Sequence, residues 1–186
     1  MKKLVLASAS PRRKELLESL GYPFEVRVSD IEEKRYQDET PFAYVRRLSL
    51  EKASAVPDAV SDSCVVIGSD TVVTIAGEVL EKPKDKQDFL RMFSLLSGQT
   101  HQVITAVSAV NGKKHQTISV STNVTFNALS QQEIEQYWLT GEPADKAGGY
   151  GIQGIAGKFV THIEGSYHSV VGLPLFETDQ LLKQFL

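Results

Sequence analysis

The sequence contains little cysteine, no long apolar run and no strong excess of charge of one sign. Cys64 is the single cysteine among 186 residues, which excludes an internal disulfide and a zinc site built from cysteines. The net charge of -3 argues against binding to a nucleic-acid polymer, because the phosphate backbone requires a concentrated basic surface. No apolar run approaches the length of a membrane-spanning helix. We therefore expect a cytoplasmic protein with neither a membrane nor a nucleic-acid polymer as a partner.

Two common nucleotide-binding signatures are also missing. Neither a Gly-x-Gly-x-x-Gly run nor a Walker-type loop is present, which weakens dinucleotide-binding and P-loop interpretations. The four histidines lack the spacing of metal ligands, so we expect structural or exposed roles for His101, His115, His162 and His168. What is present is an ordinary globular composition, with 41% hydrophobic and 23% charged residues. This length suits a single domain over residues 1–186, or two small lobes.

Strands alternate with helices in the first half of the chain, and an antiparallel hairpin follows. We predict strands at 4–7, 24–28, 64–67 and 158–163, and helices that begin after Ser10, Thr40, Asp85 and Ser130 and at Pro174. The Asn111-Gly112 pair predicts a type I′ turn between two extended runs, because both residues tolerate positive φ. This order predicts the α/β class, with a mixed twisted sheet flanked by helices.

The turn after the first strand is a candidate phosphate site. Ser8 is small enough for close approach, Ser10 can cap the following helix, and Pro11 suits its first position. Arg12 and Arg13 are unusual there, because the helix dipole favours anions at that end. A bound phosphate would remove this conflict. A solvated basic helix face explains the same residues.

Asp70 is the acidic residue that the pattern favours most. We expect it just after the buried strand 64–67, in an interruption at 68–71, where it could bind a divalent metal or accept a proton from water. A turn aspartate that binds its own backbone is the alternative. Lys52 and Lys82 could contact phosphate oxygens, or could be ordinary surface lysines. Glu33 could be a metal ligand, or a solvated loop residue.

The glycine-rich stretch 148–154 could bring the backbone close to a flat ligand. Its Gln153 offers a donor and an acceptor side by side, which matches the N3–H and O4 edge of uracil or thymine. A glutamate there would only accept hydrogen bonds. A flexible surface loop is the alternative interpretation of the same residues.

Taken together, these stretches resemble the Maf family of nucleotide pyrophosphatases, which has an ITPase-like fold. The motifs that carry the resemblance are Ala7-Ser8-Ala9-Ser10-Pro11-Arg12-Arg13-Lys14-Glu15-Leu16-Leu17, Gly68-Ser69-Asp70-Thr71-Val72-Val73, Lys82-Pro83, Leu96-Ser97-Gly98-x-Thr100-His101-x-Val103, Asp145-Lys146-Ala147-Gly148-Gly149-Tyr150-Gly151-Ile152-Gln153-Gly154 and Gly172-Leu173-Pro174. The chain departs from the family pattern at Ser69, Glu81 and Gly149. Of these departures, Glu81 places a carboxylate beside Lys82 and could change metal dependence or affinity.

The resemblance implies a deep cleft between two lobes and hydrolysis of a nucleoside triphosphate to the monophosphate and pyrophosphate. It implies a divalent cation (Mg²⁺, Mn²⁺ or Co²⁺) and a homodimer, and the Ile152-Gln153-Gly154 form is similar to the dTTP/UTP-directed branch. Carried over position by position, Asp70 is the proton acceptor and a tentative metal ligand. Arg12, Thr71 and Gln153 match specificity positions, and the remaining substrate or metal contacts are Ser8, Arg13, Glu33, Lys52 and Lys82. A nucleotide-binding regulator of septum formation, without significant turnover, is the alternative function.

Overall fold

Seven strands form one mixed sheet in residues 2–186, the part of the chain that this computed structural model describes. The strands are β1 (Lys3–Leu6), β2 (Phe24–Val26), β3 (Cys64–Ile75), β4 (Glu78–Leu80), β5 (Thr100–Asn111), β6 (Lys114–Phe126) and β7 (Val160–Glu164). The α-helices are α1 (Pro11–Ser19), α2 (Pro41–Ser54), α3 (Lys86–Leu96), α4 (Gln131–Leu139), α5 (Tyr167–Val171) and α6 (Leu175–Leu182). Short 3₁₀ turns lie at Pro57–Val60, Glu142–Asp145, Ala147–Gly149 and Ile155–Phe159.

The strand order confirms the predicted mixed α/β class. The order is β2-β1-β3-β5-β6-β7, and β4 pairs with β3 outside this path. β1 is parallel to both of its neighbours, whereas β4 pairs with β3, and β7 with β6, in the antiparallel sense. No helix within residues 2–186 is long and apolar enough to cross a lipid bilayer.

The helix starts follow the predicted capping residues. Ser10 Oγ accepts a hydrogen bond from the Arg13 N–H at 3.4 Å, and Thr40 Oγ1 accepts one from the Ala43 N–H at 3.2 Å. Asp85 caps α3 in the same way, and a complete capping box of Ser130 and Glu133 opens α4. These caps are local, which is why the sequence pattern identifies them.

The predicted interruption at 68–71 is wrong, because β3 continues from Cys64 to Ile75. A Cβ on Gly68 would lie 2.3 Å from the carbonyl oxygen of Ser49, so glycine is what allows α2 to approach this strand. Ser69 is fully buried, and its hydroxyl donates to the Gly172 carbonyl at 2.9 Å. Small residues here reflect close packing inside a strand rather than a break in it.

The predicted Asn111-Gly112 type I′ turn is also wrong. Asn111 belongs to β5 and does not have positive φ, whereas Gly112 has a φ of 57°. The Asn111 amide is buried and donates to the carbonyls of Ser61, Asp62 and Cys64, which keeps the residue in the strand. The turn between β3 and β4, by contrast, does have positive φ at two adjacent residues, Ala76 and Gly77.

The chain divides into two compact units. The first comprises the chain up to Asp70, Thr105–Val120 and Gly172–Leu186, and the second comprises Thr71–Ile104 and Ser121–Val171. The first unit has an aliphatic core cluster of Val5, Ala7, Ala53, Val56, Ala59, Cys64, Val66 and Val110. The second unit buries a cluster of aromatic rings from Phe89, Phe93, Phe126, Tyr137 and Phe159.

Candidate functional site

A buried ion pair joins predicted site residues of the first unit. Lys52, in the last turn of α2, donates from Nζ to Asp70 Oδ1 at 2.7 Å. The same ammonium lies 2.9 Å from Glu33 Oε1. Lys52 and Asp70 are 8% and 5% exposed, so water does little to screen their interaction. The structure thus brings three of the predicted site residues together, with Lys52 between two carboxylates.

Burial raises the pKa of Asp70. The positive charges of Lys52 and Arg13 and the Lys52 hydrogen bond oppose this shift, whereas the negative charge of Glu33 adds to it. A carboxylate that is held in a buried position with a raised pKa is a stronger proton acceptor than an exposed aspartate.

Arg13 adds a second cation to this cluster. Its guanidinium Nε donates to the Gly172 carbonyl at 3.0 Å, which fixes a side chain that projects from the first turn of α1. Burial lowers the pKa of Arg13, and the charges of Asp70 and Glu33 oppose that change. The positive charge of Arg12 also lowers the pKa of Arg13, because like charges repel. The two arginines therefore share one electrostatic environment with Asp70 and Glu33.

Ser8 is buried in the turn between β1 and α1, and its hydroxyl accepts a hydrogen bond from the Ser10 N–H at 3.2 Å. Ser10 is in turn the cap of α1. The predicted serine turn therefore exists as a local hydrogen-bonded structure. A phosphate role for Ser8 stays a prediction.

The segment that carries Glu33 is attached to α2 by Arg47, which the sequence interpretation missed. Arg47 donates from Nη2 to the Lys34 carbonyl at 2.8 Å, and its Nε and Nη2 contact both carboxylate oxygens of Glu39 at 2.7 Å. Its guanidinium also lies over the Tyr36 ring, 4.0 Å from the centroid. The interaction depends on folding of 33–39 against α2, so no short motif in the sequence could indicate it.

The other predicted site residues lie in the second unit. Thr71 follows Asp70 directly in β3, Lys82 is exposed after β4, and Gln153 is exposed in a turn. The expectation that these residues share one cleft with the turn at Ser8 stays a prediction.

The glycine-rich stretch is fixed at its beginning rather than flexible throughout. Gly148 and Gly149 are buried and have positive φ, and a Cβ on Gly148 would lie 2.9 Å from a Val73 methyl group. Gly148 also donates from its N–H to the Glu81 carbonyl at 3.1 Å. Since no other residue fits these positions without strain, the stretch has one defined backbone conformation up to Tyr150.

Tyr150 makes a buried hydrogen bond with His101, another contact that the sequence interpretation missed. The Tyr150 hydroxyl lies 2.7 Å from His101 Nε2, and burial lowers the pKa of His101 to about 4. His101 is therefore neutral near pH 7. This bond and an edge-on contact with the Phe126 ring position Tyr150 three residues before Gln153.

Comparison with known proteins finds relatives that match nearly the full length of the chain. The family pattern described as Maf-like protein matches residues 3–185. A dTTP/UTP pyrophosphatase of Vibrio vulnificus is 59% identical over 186 residues, which cover 100% of both chains. The dTTP/UTP pyrophosphatase of Vibrio cholerae is 58% identical, with 98% of each chain covered. Among solved structures, the Staphylococcus aureus Ham1 protein aligns with a TM-score of 0.49 and 14% identity, over 67% of this chain and 72% of that one.

The match to the family spans nearly all of the sequence, and it includes every residue that the motifs had singled out. A relative with 59% identity over its whole length leaves no part of the chain outside this relationship. The chain therefore belongs to the Maf-like protein family.

Proposed function

We propose that this chain hydrolyses dTTP, UTP and modified uridine or pyrimidine triphosphates to the monophosphate and pyrophosphate, which removes non-standard nucleotides. The observation that carries the proposal is the buried contact between Asp70 and Lys52, which Glu33 shares. Burying an ion pair costs desolvation energy that its attraction often fails to recover. The presence of such a pair favours a chemical role over a contribution to stability. The name of the Vibrio relatives, dTTP/UTP pyrophosphatase, supports the same substrate class.

In the proposed reaction, water attacks the α-phosphorus of the triphosphate. The bond from that phosphorus to the bridging oxygen breaks, and pyrophosphate leaves with the bonding electrons. Asp70 accepts the proton that the attacking water loses, which suits the raised pKa of this carboxyl group. Arg13, Lys52 and Lys82 neutralise phosphate oxygens, so that negative charge does not shield phosphorus from the nucleophile.

The donor set suits a divalent cation that is shared with the substrate. Asp70 and Glu33 both contact Lys52 Nζ, so their carboxylates lie close together. No group of three or more His, Cys, Asp or Glu side chains suited to a metal occurs within residues 2–186. Mg²⁺ in such enzymes takes one or two carboxylates and completes its shell with phosphate oxygens and water. Asp70 and Glu33 would hold Mg²⁺, Mn²⁺ or Co²⁺, which would supply further neutralisation of phosphate charge.

Gln153 is the residue proposed to select the base, with Arg12 and Thr71 as further specificity positions. Its amide can donate to O4 and accept from N3–H of uracil or thymine. Substitution Gln153→Glu removes the donor, so we expect kcat/KM for UTP to fall at least about tenfold. Steady-state assays with UTP and GTP measure this change. An unchanged preference would remove the assignment of Gln153.

The test of the activity is a panel of standard and modified triphosphates with Mg²⁺, Mn²⁺ or Co²⁺, scored for monophosphate and pyrophosphate. We expect equal amounts of the two products from dTTP, UTP and modified uridine triphosphates. Binding of these nucleotides without release of pyrophosphate would reject the enzyme and favour the nucleotide-binding regulator. Light scattering on the purified chain tests the homodimer that we propose in addition.

A further inference from the structure

Two residues outside the matched specificity positions hold the segment that carries Gln153. We propose that Tyr137 and Glu142, the anchoring pair, are positioning residues that fix segment 151–156 and thereby set the base preference. This inference rests on the proposed function, in which Gln153 contacts the base. It concerns how the Gln153 amide is held in place, and neither member of the pair is assigned a contact with substrate.

The carboxylate of Glu142 binds the segment on the C-terminal side of Gln153. The Ile155 N–H donates to Glu142 Oε2 at 2.9 Å, and the Ala156 N–H donates to Oε1 at 3.4 Å. Both are backbone contacts, so they constrain the path of the chain rather than the rotamer of one side chain. Bonds from neutral donors to a carboxylate are also stronger than bonds between neutral groups.

Tyr137 binds the same segment on the N-terminal side of Gln153. Its hydroxyl oxygen accepts a hydrogen bond from the Gly151 N–H at 3.4 Å, and its O–H donates to Glu142 Oε1 at 2.8 Å. The Gly154 N–H closes a turn onto the Gly151 carbonyl at 3.0 Å. Gln153 is thus exposed at a turn whose two ends are connected through one hydrogen-bonded pair.

The segment fits closely around the Glu142 carboxylate. A Cβ on Gly154 would lie 2.4 Å from Glu142 Oε2, so this position excludes every side chain while the carboxylate is in place. A Cβ on Gly157 would lie 2.7 Å from the Ile152 carbonyl, which shows equally tight folding beyond the turn. Gly154 therefore serves the fit to the Glu142 carboxylate as well as the proposed approach of a ligand.

The anchoring pair itself rests on fixed parts of the second unit. Tyr137 is 2% exposed on α4, and its ring centroid lies 5.5 Å from that of Phe93 and 5.3 Å from that of Phe159. The backbone carbonyl of Glu142 accepts a hydrogen bond from Lys146 Nζ at 2.9 Å. Ring packing thus fixes Tyr137, and the Lys146 hydrogen bond fixes the backbone of Glu142. The pair can therefore transmit the rigidity of the aromatic core to the turn at Gln153.

The charge state of Glu142 agrees with this role. Burial acts to raise its pKa, but hydrogen bonds from Ile155, Tyr137 and Ala156, together with the charge of Lys146, lower it overall. Glu142 is therefore ionised near neutral pH, with donors directed at both carboxylate oxygens. In Glu142→Gln, the new amide group would have to face one of those donors, so at least one contact is lost without a change in size.

The experiment compares Tyr137→Phe and Glu142→Gln with the wild type, for kcat and KM on UTP, dTTP and GTP. We expect KM for UTP to rise about tenfold and the UTP/GTP ratio of kcat/KM to fall by a similar factor, with kcat on UTP nearly unchanged. Glu135→Gln is the matched control and should change neither value, because Glu135 lies on the same helix as Tyr137 but is hydrogen-bonded to Gln131. A purely structural role would instead lower activity on all three nucleotides in parallel.

Two further measurements distinguish a failure of this inference from a failure of the proposed function. Amide hydrogen exchange at Ile155 and Ala156 should quicken in Glu142→Gln, and combining Tyr137→Phe with Gln153→Glu should cost less than the sum of the single effects. The inference is overturned if the wild type prefers UTP and Gln153→Glu changes that preference, yet the pair variants leave it unchanged. Absence of wild-type turnover overturns the proposed function, and the inference with it.

Discussion

The two units of the chain bury different kinds of polar group. In the first, Lys52 and Asp70 are both buried as an ion pair. In the second, the buried titratable side chains include His101 and Tyr150, which are neutral near pH 7 and bind each other among aromatic rings. Buried charge is costly and directional, whereas a neutral aromatic cluster mainly supplies rigidity. The interiors of the two units therefore differ: the first holds a buried pair of charges, and the second holds a rigid, neutral cluster.

The largest effect is expected from removing the carboxylate in the first unit. Asp70→Asn keeps the shape of the side chain but abolishes a proton acceptor, so kcat should fall about 10²–10⁴-fold while UTP still binds. Turnover and equilibrium binding, measured on the same preparation, check both parts. Asp62→Asn, at an exposed position, is the control. Wild-type turnover in Asp70→Asn would reject the assigned role.

The next effect concerns pH and the buried histidine of the second unit. Burial lowers the pKa of His101 from 6.5 to about 4, so the folded state binds fewer protons than the unfolded state between these values. The free energy of unfolding should therefore be highest above pH 6.5, where His101 is neutral in both states. It should fall by ~3 kcal/mol as the pH is lowered from 6.5 towards 4. Urea unfolding at a series of pH values measures the loss.

The matched variants for this pH effect are His101→Gln, which cannot titrate, and His162→Gln at an exposed position. The free energy of unfolding should depend less on pH in His101→Gln than in the wild type, whereas His162→Gln should follow the wild type. Identical pH dependence in all three proteins would show that His101 titrates normally in the folded state.

A smaller effect is expected at the close contact between β3 and α2. A Cβ on Gly68 would lie 2.3 Å from the Ser49 carbonyl oxygen and 2.6 Å from the Ala53 nitrogen, and both are backbone atoms. Gly68→Ala should therefore destabilise the protein by about 1–3 kcal/mol through overpacking. The Cβ that Gly77→Ala adds would have no atom within 4 Å, so that variant has only the backbone strain of a φ of +81°. Equal destabilisation of the two variants, measured by thermal unfolding, would contradict this packing argument.

The smallest effect is expected at Arg47, which attaches the Glu33 segment in the first unit. Arg47→Lys cannot reproduce the paired contact with Glu39 and the bond to the Lys34 carbonyl at once. We expect a loss of about 1 kcal/mol in stability, because the network is partly exposed. Arg46→Lys is the control on the same helix, since Arg46 donates to the Ser119 hydroxyl on β6 and has no hydrogen bond to segment 33–39 within the part of the chain that the structure describes. An unchanged free energy of unfolding would show that Arg47 does not hold this segment.

Local signals predicted much of the fold. The caps Ser10, Thr40, Asp85 and Ser130 were identifiable because the cap and the amide it binds lie within three residues. The continuity of β3 was not, because it depends on α2 packing against Gly68, from a distant part of the chain. The same limit applies to Asn111, whose amide binds carbonyls near residue 61. Helix α5 carried no pattern strong enough to predict.

The residues of the candidate site could be predicted from the sequence, but the residues that hold its loops in place could not. The residue pattern and the family resemblance together singled out Asp70, Lys52 and Glu33, and the structure brings both carboxylates into contact with Lys52 Nζ. The residues that hold the loops, Arg47 and Glu142, act through backbone atoms of distant segments. No spacing rule captures such contacts, since they exist only after folding.

The most direct measurement is hydrolysis of UTP in water enriched in ¹⁸O, followed by mass spectrometry of the products. Attack at the α-phosphorus predicts one ¹⁸O atom in the monophosphate and none in the pyrophosphate. Label in the pyrophosphate, or release of inorganic phosphate instead, would contradict the proposed reaction.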